Sequence, residues 1–113
     1  MAQCVTLACD QNRVTVPALT SIGTVASLIS PKKPGRVLIR VQNTGTTVLY
    51  VNLSETVPTA TVYHAALGGC GSANDGTGGV FEVDAWSGPV SALSSASGGT
   101  AVLTEILAPA AWL

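Results

Sequence analysis

Residues 35–53, GRVLIRVQNTGTTVLYVNL, constrain the fold more than any other part of the chain. Val37, Ile39 and Val41 alternate with Leu38, Arg40 and Gln42. Beyond Asn43-Thr44-Gly45, Leu49, Val51 and Leu53 alternate with Val48, Tyr50 and Asn52. A period of two in β-branched and aromatic residues means strands with one face in a core. Asn and Gly between such runs supply the positive φ that a tight antiparallel turn needs. The pattern therefore predicts a central β-hairpin on which the other strands assemble.

The rest of the chain reads as short strands punctuated by Gly and Pro. Val14 and Val16 suggest a short strand ending at Pro17, and Gly23 suggests a bend or bulge within residues 19–29. Residues 30–34, SPKKP, make a turn; residues 59–67, TATVYHAAL, a strand. Residues 68–79, GGCGSANDGTGG, look the most flexible and read as a long hairpin turn. Residues 80–84, 90–93 and 100–107 are further strands, and Trp86-Ser87-Gly88-Pro89 is a turn. No strand–helix alternation is present, so a parallel sheet is excluded. The expected fold is all-β: an antiparallel β-sandwich or jelly-roll-like small barrel of about seven to nine strands. It is a single domain over residues 13–107 with extended termini. Residues 1–12 form an arm or edge strand, and residues 108–113 an apolar tail.

Composition narrows the function classes. Charged residues are 10% of the chain, against about 25% in ordinary soluble proteins. A neutral surface of Ser, Thr, Gly and Asn is cheap to desolvate against another protein, which favours a subunit buried in an assembly. Five basic residues, with Lys32, Lys33, Arg36 and Arg40 close together, are too few for a nucleic-acid footprint. No apolar run approaches a bilayer span. Residues 1–13 lack the pattern of a signal peptide, so synthesis in a cytosol with reduced thiols is expected.

Residues able to do chemistry are sparse. Cys4, Cys9, His64 and Cys70 could hold zinc as three thiolates and an imidazole. Their spacings lie at the edge of metal patterns, and the commoner reading is small buried thiols with a hydrogen-bonded histidine. No metal or other cofactor is expected. A Cys4–Cys9 bridge across a local turn is a further option, with free thiols favoured. Cys70 beside His64 lacks the third group of a nucleophilic site. The chain has a single His and no G-x-S-x-G elbow. Glu82, Asp84 and Glu105 read as solvated outward residues that protect strand edges. The glycine-rich loop is no P-loop, and Asn74-Asp75-Gly76 offers too few oxygens for calcium. No enzymatic activity is expected. Trp112 and Leu113 at the chain end either cover the domain's own core or anchor a partner. Cys4 and Val5 of the arm, Asn74 and Asp75 of the loop, and Trp112 and Leu113 are the candidate partner contacts.

The order of features from residue 35 onward, GRVLIRVQNTGTTVLYVNLS, TVYHAAL, DGTGG, VFEVDAWSGPVSALSS and GGTAVLTEI, resembles the capsid decoration, or cement, proteins of tailed bacteriophages. The resemblance covers residues 35–107. It implies a structural virion protein on the outer capsid surface, synthesised in the host cytoplasm. Its implied partners are the major capsid protein and copies of itself, as a homotrimer or another homo-oligomer, with neither nucleic acid nor membrane involved. The alternatives are a head-fibre, tail or connector subunit, or a host-glycan-binding β-module. A glycan platform would draw on Tyr50, Tyr63, Trp86 and Trp112.

Overall fold

The computed structural model describes residues 13–15, 17–54 and 58–108. The strands are β1 (Arg13–Val14), β2 (Ala18–Ile22), β3 (Ser27–Ser30), β4 (Arg36–Asn43) and β5 (Leu49–Asn52). They continue with β6 (Ala65–Leu67), β7 (Val80–Asp84), β8 (Val90–Ser94) and β9 (Gly99–Leu107). One sheet has the order β1-β9-β4-β7, and β2 also pairs with β9; the other has the order β3-β8-β5-β6. Strand β1 pairs with Ile106 and Leu107, and β2 with residues 99–103, so the two share the length of β9. Every connection from β2 to β9 changes sheet except β5 to β6. With orders β2-β9-β4-β7 and β3-β8-β5-β6, this is the jelly-roll arrangement of an antiparallel sandwich.

The central hairpin is not formed. Strand β4 lies between β9 and β7, whereas β5 lies between β8 and β6 in the opposite sheet. Residues 44–48 arch from one sheet to the other. Positive φ is confined to Asn74, Ala85, Gly35, Gly76 and Gly98 among the described residues, so the Asn43-Thr44-Gly45 corner does not use it. The alternation itself is as the sequence predicts. Ile39 and Val41 from one sheet meet Leu49 and Val51 from the other, with Ile22, Leu67, Val90, Ala92, Ala101 and Leu103 around them. Burying each large aliphatic side chain contributes roughly 1.5–3 kcal/mol, which is what holds the two layers together.

Two further segments differ from expectation. Only Ala65–Leu67 of residues 59–67 is strand. Upstream, the Thr59 hydroxyl accepts the backbone N–H groups of Thr61 and Val62, and this local bonding competes with a ladder. Residues 68–79 join β6 to β7 across the two sheets, so they are a crossing and not a hairpin turn.

Trp86 shows why its turn reads W-S-G-P. The ring packs against the core and its N–H donates to the Pro89 carbonyl at 3.1 Å. A Cβ at Gly88 would run into the indole, so glycine is required there by close approach.

Candidate functional site

The most concentrated polar chemistry lies between the sheets, at the end of the sandwich where β3 crosses to β4. Glu105 sits on β9 in the inward row with Ala101 and Leu103. Arg36 opens β4, where a bulge between Arg36 and Leu38 shifts the register and turns the guanidinium inward. Its Nη1 donates to Glu105 Oε2 at 2.9 Å, to the Ser30 hydroxyl at 2.9 Å and to the Pro31 carbonyl at 3.2 Å. Nε donates to the Trp86 carbonyl at 3.1 Å, and Nη2 to that of Gly88. Lys33 Nζ and the Ser30 hydroxyl complete the carboxylate's partners at 2.5 and 2.8 Å. The Arg36 side chain is 0% exposed and that of Glu105 9%.

Glu105 therefore contradicts the reading of a solvated, edge-protecting residue; Glu82 and Asp84 do face solvent. The reason is register. Both faces of TAVLTEIL carry apolar residues, so alternation alone does not say which row turns inward. Burial pushes the Glu105 carboxyl up, but hydrogen bonds from Lys33, Ser30 and Arg36 together with the Lys33 charge outweigh it and hold it below its ordinary 4.5. The cluster is saturated: carboxylate and guanidinium face each other with their hydrogen bonds made. This arrangement locks β3, β4, β9 and the 86–88 turn together.

The second polar centre is the loop of residues 68–79. Asn43, 0% exposed at the end of β4, is its foundation. Its Nδ2 donates to the carbonyls of Thr47, Leu67 and Gly68 at 2.7, 3.0 and 3.1 Å, and its Oδ1 accepts from Gly45 N at 3.0 Å. The backbone N–H groups of Cys70 and Asn74 donate to Gly45 O and Thr44 O at 2.8 and 2.6 Å, tying loop to arch. The loop tip is organised by Asp75. Its carboxylate accepts from the Thr77 hydroxyl at 2.6 Å, Thr77 N at 2.9 Å and Ser72 N at 2.8 Å. The Thr77 hydroxyl bond, then the two backbone bonds, hold the Asp75 carboxyl at about 2.

The remaining candidates fall as follows. Asn74 and Asp75 are both exposed at the loop tip. Cys70 is buried, with its thiol donating to the Asn43 carbonyl at 3.4 Å. His64 is exposed, and its Nδ1 accepts from Leu53 N at 3.0 Å. Cys4, Val5, Cys9, Trp112 and Leu113 lie outside the described residues. Among the described residues no three His, Cys, Asp or Glu side chains gather as a metal site. Of the aromatic residues, Tyr50 and Tyr63 pair with ring centroids 5.2 Å apart, while Trp86 faces the core.

Cys70→Ser is expected to lower stability by about 1 kcal/mol or less, because a hydroxyl can donate to the same carbonyl. Urea unfolding of the purified variant checks this.

Sequence reasoning missed the Arg36–Glu105 pair and the role of Asn43. A signal for the first exists: in a chain with only 10% charged residues, an acid inside TAVLTEIL and an arginine heading RVLIRV are costly unless they meet. Asn43 carries no such signal, since an Asn before Thr-Gly reads equally well as a turn residue.

No family model matches the chain, and no curated protein matches it. Among solved structures, the chain is similar in fold to a subunit of the Bacillus endospore appendages, described as a novel family of disulfide-linked pili. The TM-score is 0.50 at 14% identity, covering 90% of this chain and 94% of that one. At this identity the likeness concerns the fold alone.

Proposed function

We propose that this chain is a structural subunit of a multi-copy assembly, joined to copies of itself, and not an enzyme. The observation that carries the reading is the engagement of Glu105, Asp75, Cys70 and His64 in holding the fold. Glu105 is bound by Ser30, Lys33 and Arg36, Asp75 by Ser72 and Thr77, Cys70 by Asn43 and His64 by Leu53. The low charge of the chain supports contact with neighbours. The fold is shared with a subunit of pili described as disulfide-linked. On this reading Cys4 and Cys9 form disulfides between subunits once the protein leaves a reducing compartment, in place of the free thiols expected inside it.

The capsid-decoration role is the finer version for which the residue pattern of 35–107 speaks. There the partner is the major capsid protein, the protein is a homotrimer or other homo-oligomer, and its place is the outer surface of a virion. Cys4, Val5, Asn74, Asp75, Trp112 and Leu113 are the contacts proposed for either version.

Electrophoresis of the full chain after oxidative incubation tests the reading. A ladder of multimers that collapses with reductant, and that is absent from the Cys4→Ser/Cys9→Ser variant, is expected. A single monomer band under all conditions contradicts the covalent link. Co-sedimentation with mature phage shells lacking the protein separates the two versions: saturable binding selects capsid decoration, and self-association without shell binding selects the pilus-like assembly.

A further inference from the structure

We propose that Asp75-Gly76, at the tip of the 68–79 loop, is a latent isoaspartate-forming site that the hydrogen bonds from Thr77 and Ser72 keep unreactive in the folded chain. The inference goes beyond the assembly reading and does not depend on it.

The reaction belongs to the dipeptide. The Gly76 amide nitrogen attacks Cγ of the neutral Asp75 carboxyl. A C–N bond forms, the Cγ–OH bond breaks, and the hydroxyl leaves with the amide proton as water. The product is a five-membered cyclic imide. Water then adds to one of its two carbonyls. Opening at the side-chain carbonyl regenerates aspartate. Opening at the main-chain carbonyl leaves the backbone running through Cγ, one carbon longer, with the carboxylate displaced.

Two conditions govern this closure: the nitrogen must be open to approach, and the carboxyl must be neutral and free to turn onto it. The first is met. Asp75 is the one Asp or Asn in the chain that Gly follows, and glycine has no Cβ to crowd the attack. Both residues are exposed, and Gly76 stands in open space.

The second condition is withheld by the loop. Oδ1 of Asp75 accepts from Thr77 N at 2.9 Å and from the Thr77 hydroxyl at 2.6 Å, while Oδ2 accepts from Ser72 N at 2.8 Å. The Thr77 hydroxyl is itself held, because it accepts from Gly71 N at 3.0 Å. An ionised carboxylate only accepts, so three donors aimed at it favour the charged form. The Thr77 hydroxyl bond contributes most, followed by the two backbone bonds, and the Cys70 thiol acts weakly in the same direction. With the carboxyl at about 2 in place of its ordinary 3.8, the neutral acid at about pH 5 is on the order of fifty times scarcer. Turning Cγ onto the Gly76 nitrogen also pulls the oxygens away from these donors. Isomerisation displaces the carboxylate, so the closed turn between Ser72 and Thr77 is not remade.

The test incubates the full chain at about pH 5, folded and in urea, and follows isoaspartate at residue 75 by methyl transfer from an isoaspartyl methyltransferase, with the position assigned by mass spectrometry. The unfolded chain is expected to form isoaspartate at least about tenfold faster than the folded one, as loss of the neutral acid alone requires. Folded Thr77→Val, which lacks the hydroxyl, is expected to approach the unfolded rate, and Thr77→Ser, which keeps it, to stay close to wild type. An unchanged urea midpoint establishes that the variants fold, and the comparison in urea needs no variant. Equal rates in the folded and unfolded wild type overturn the protection. A folded Thr77→Val as slow as wild type overturns the part given to Thr77. Absence of isoaspartate at residue 75 even in urea overturns the site itself. None of these results bears on the assembly reading, which stands on its own experiments.

Discussion

Replacing Arg36 by methionine is expected to lower the unfolding free energy by about 3–5 kcal/mol, the cost of breaking a buried pair by removing one partner. For a domain whose total stability is of order 5–15 kcal/mol, this is a large share. Arg36 is fully enclosed and supplies donors to Glu105, Ser30 and the carbonyls of Pro31, Trp86 and Gly88. Methionine fills the volume but leaves these acceptors without it. Lys33 still faces Glu105, but its side chain is 37% exposed, so it compensates in part. The loss should come mainly from the stranded carboxylate. The double variant Arg36→Met/Glu105→Leu is therefore expected to recover most of the stability. Urea denaturation of the single and double variants measures this. A single variant as stable as wild type would show that the pair does not lock this end of the sandwich.

The same cluster gives an acid dependence. The Glu105 carboxyl titrates below its ordinary 4.5 in the folded chain. Its contribution is thus fully present above the ordinary carboxylate range. It is lost as pH falls from that range through the lower folded value. Glu105→Gln should be less stable than wild type at pH 7 and show a shallower loss on acidification below about pH 4.5. Urea midpoints across the acid range report both.

Asn43→Ala is expected to cost about 3 kcal/mol. It strands the carbonyls of Thr47, Leu67 and Gly68 and the Gly45 amide at a fully buried position. Unsatisfied buried groups cost roughly 1–3 kcal/mol each, reduced where the segment relaxes to meet water. Asn43→Asp is the sharper comparison. It keeps the shape but replaces the donating amide by an oxygen that faces carbonyl oxygens, so it should destabilise at least as much as alanine. If aspartate is tolerated at neutral pH while alanine is not, shape and not hydrogen bonding is what Asn43 supplies. Thermal unfolding of both variants decides between them.

Strand positions and core faces were legible because alternation reports burial directly. Ile39, Val41, Leu49 and Val51 point inward as their period of two requires. Pairing was not legible. Alternation says which face a strand buries, not which strand lies beside it. Strands β4 and β5 are neighbours in sequence but belong to opposite sheets, because Asn43 ends β4 inside the core. Glu105 and Arg36 were hidden for a related reason. One lies in a strand with apolar residues on both faces, and the other is turned inward by a bulge that no residue type announces. The loop of residues 68–79 was read from glycine content alone. Its order comes from Asp75 and Thr77 closing a turn and from Gly78, where a Cβ would meet the Asn43 carbonyl and the Cys70 sulfur.

The central claim is that the chain is a building block whose partners include its own copies. Electron microscopy of the purified full-length chain, concentrated at neutral pH without reductant, tests it most directly. Ordered multi-copy particles, rings or filaments are the predicted result. A folded protein that stays monomeric at every concentration, oxidised or reduced, would contradict it.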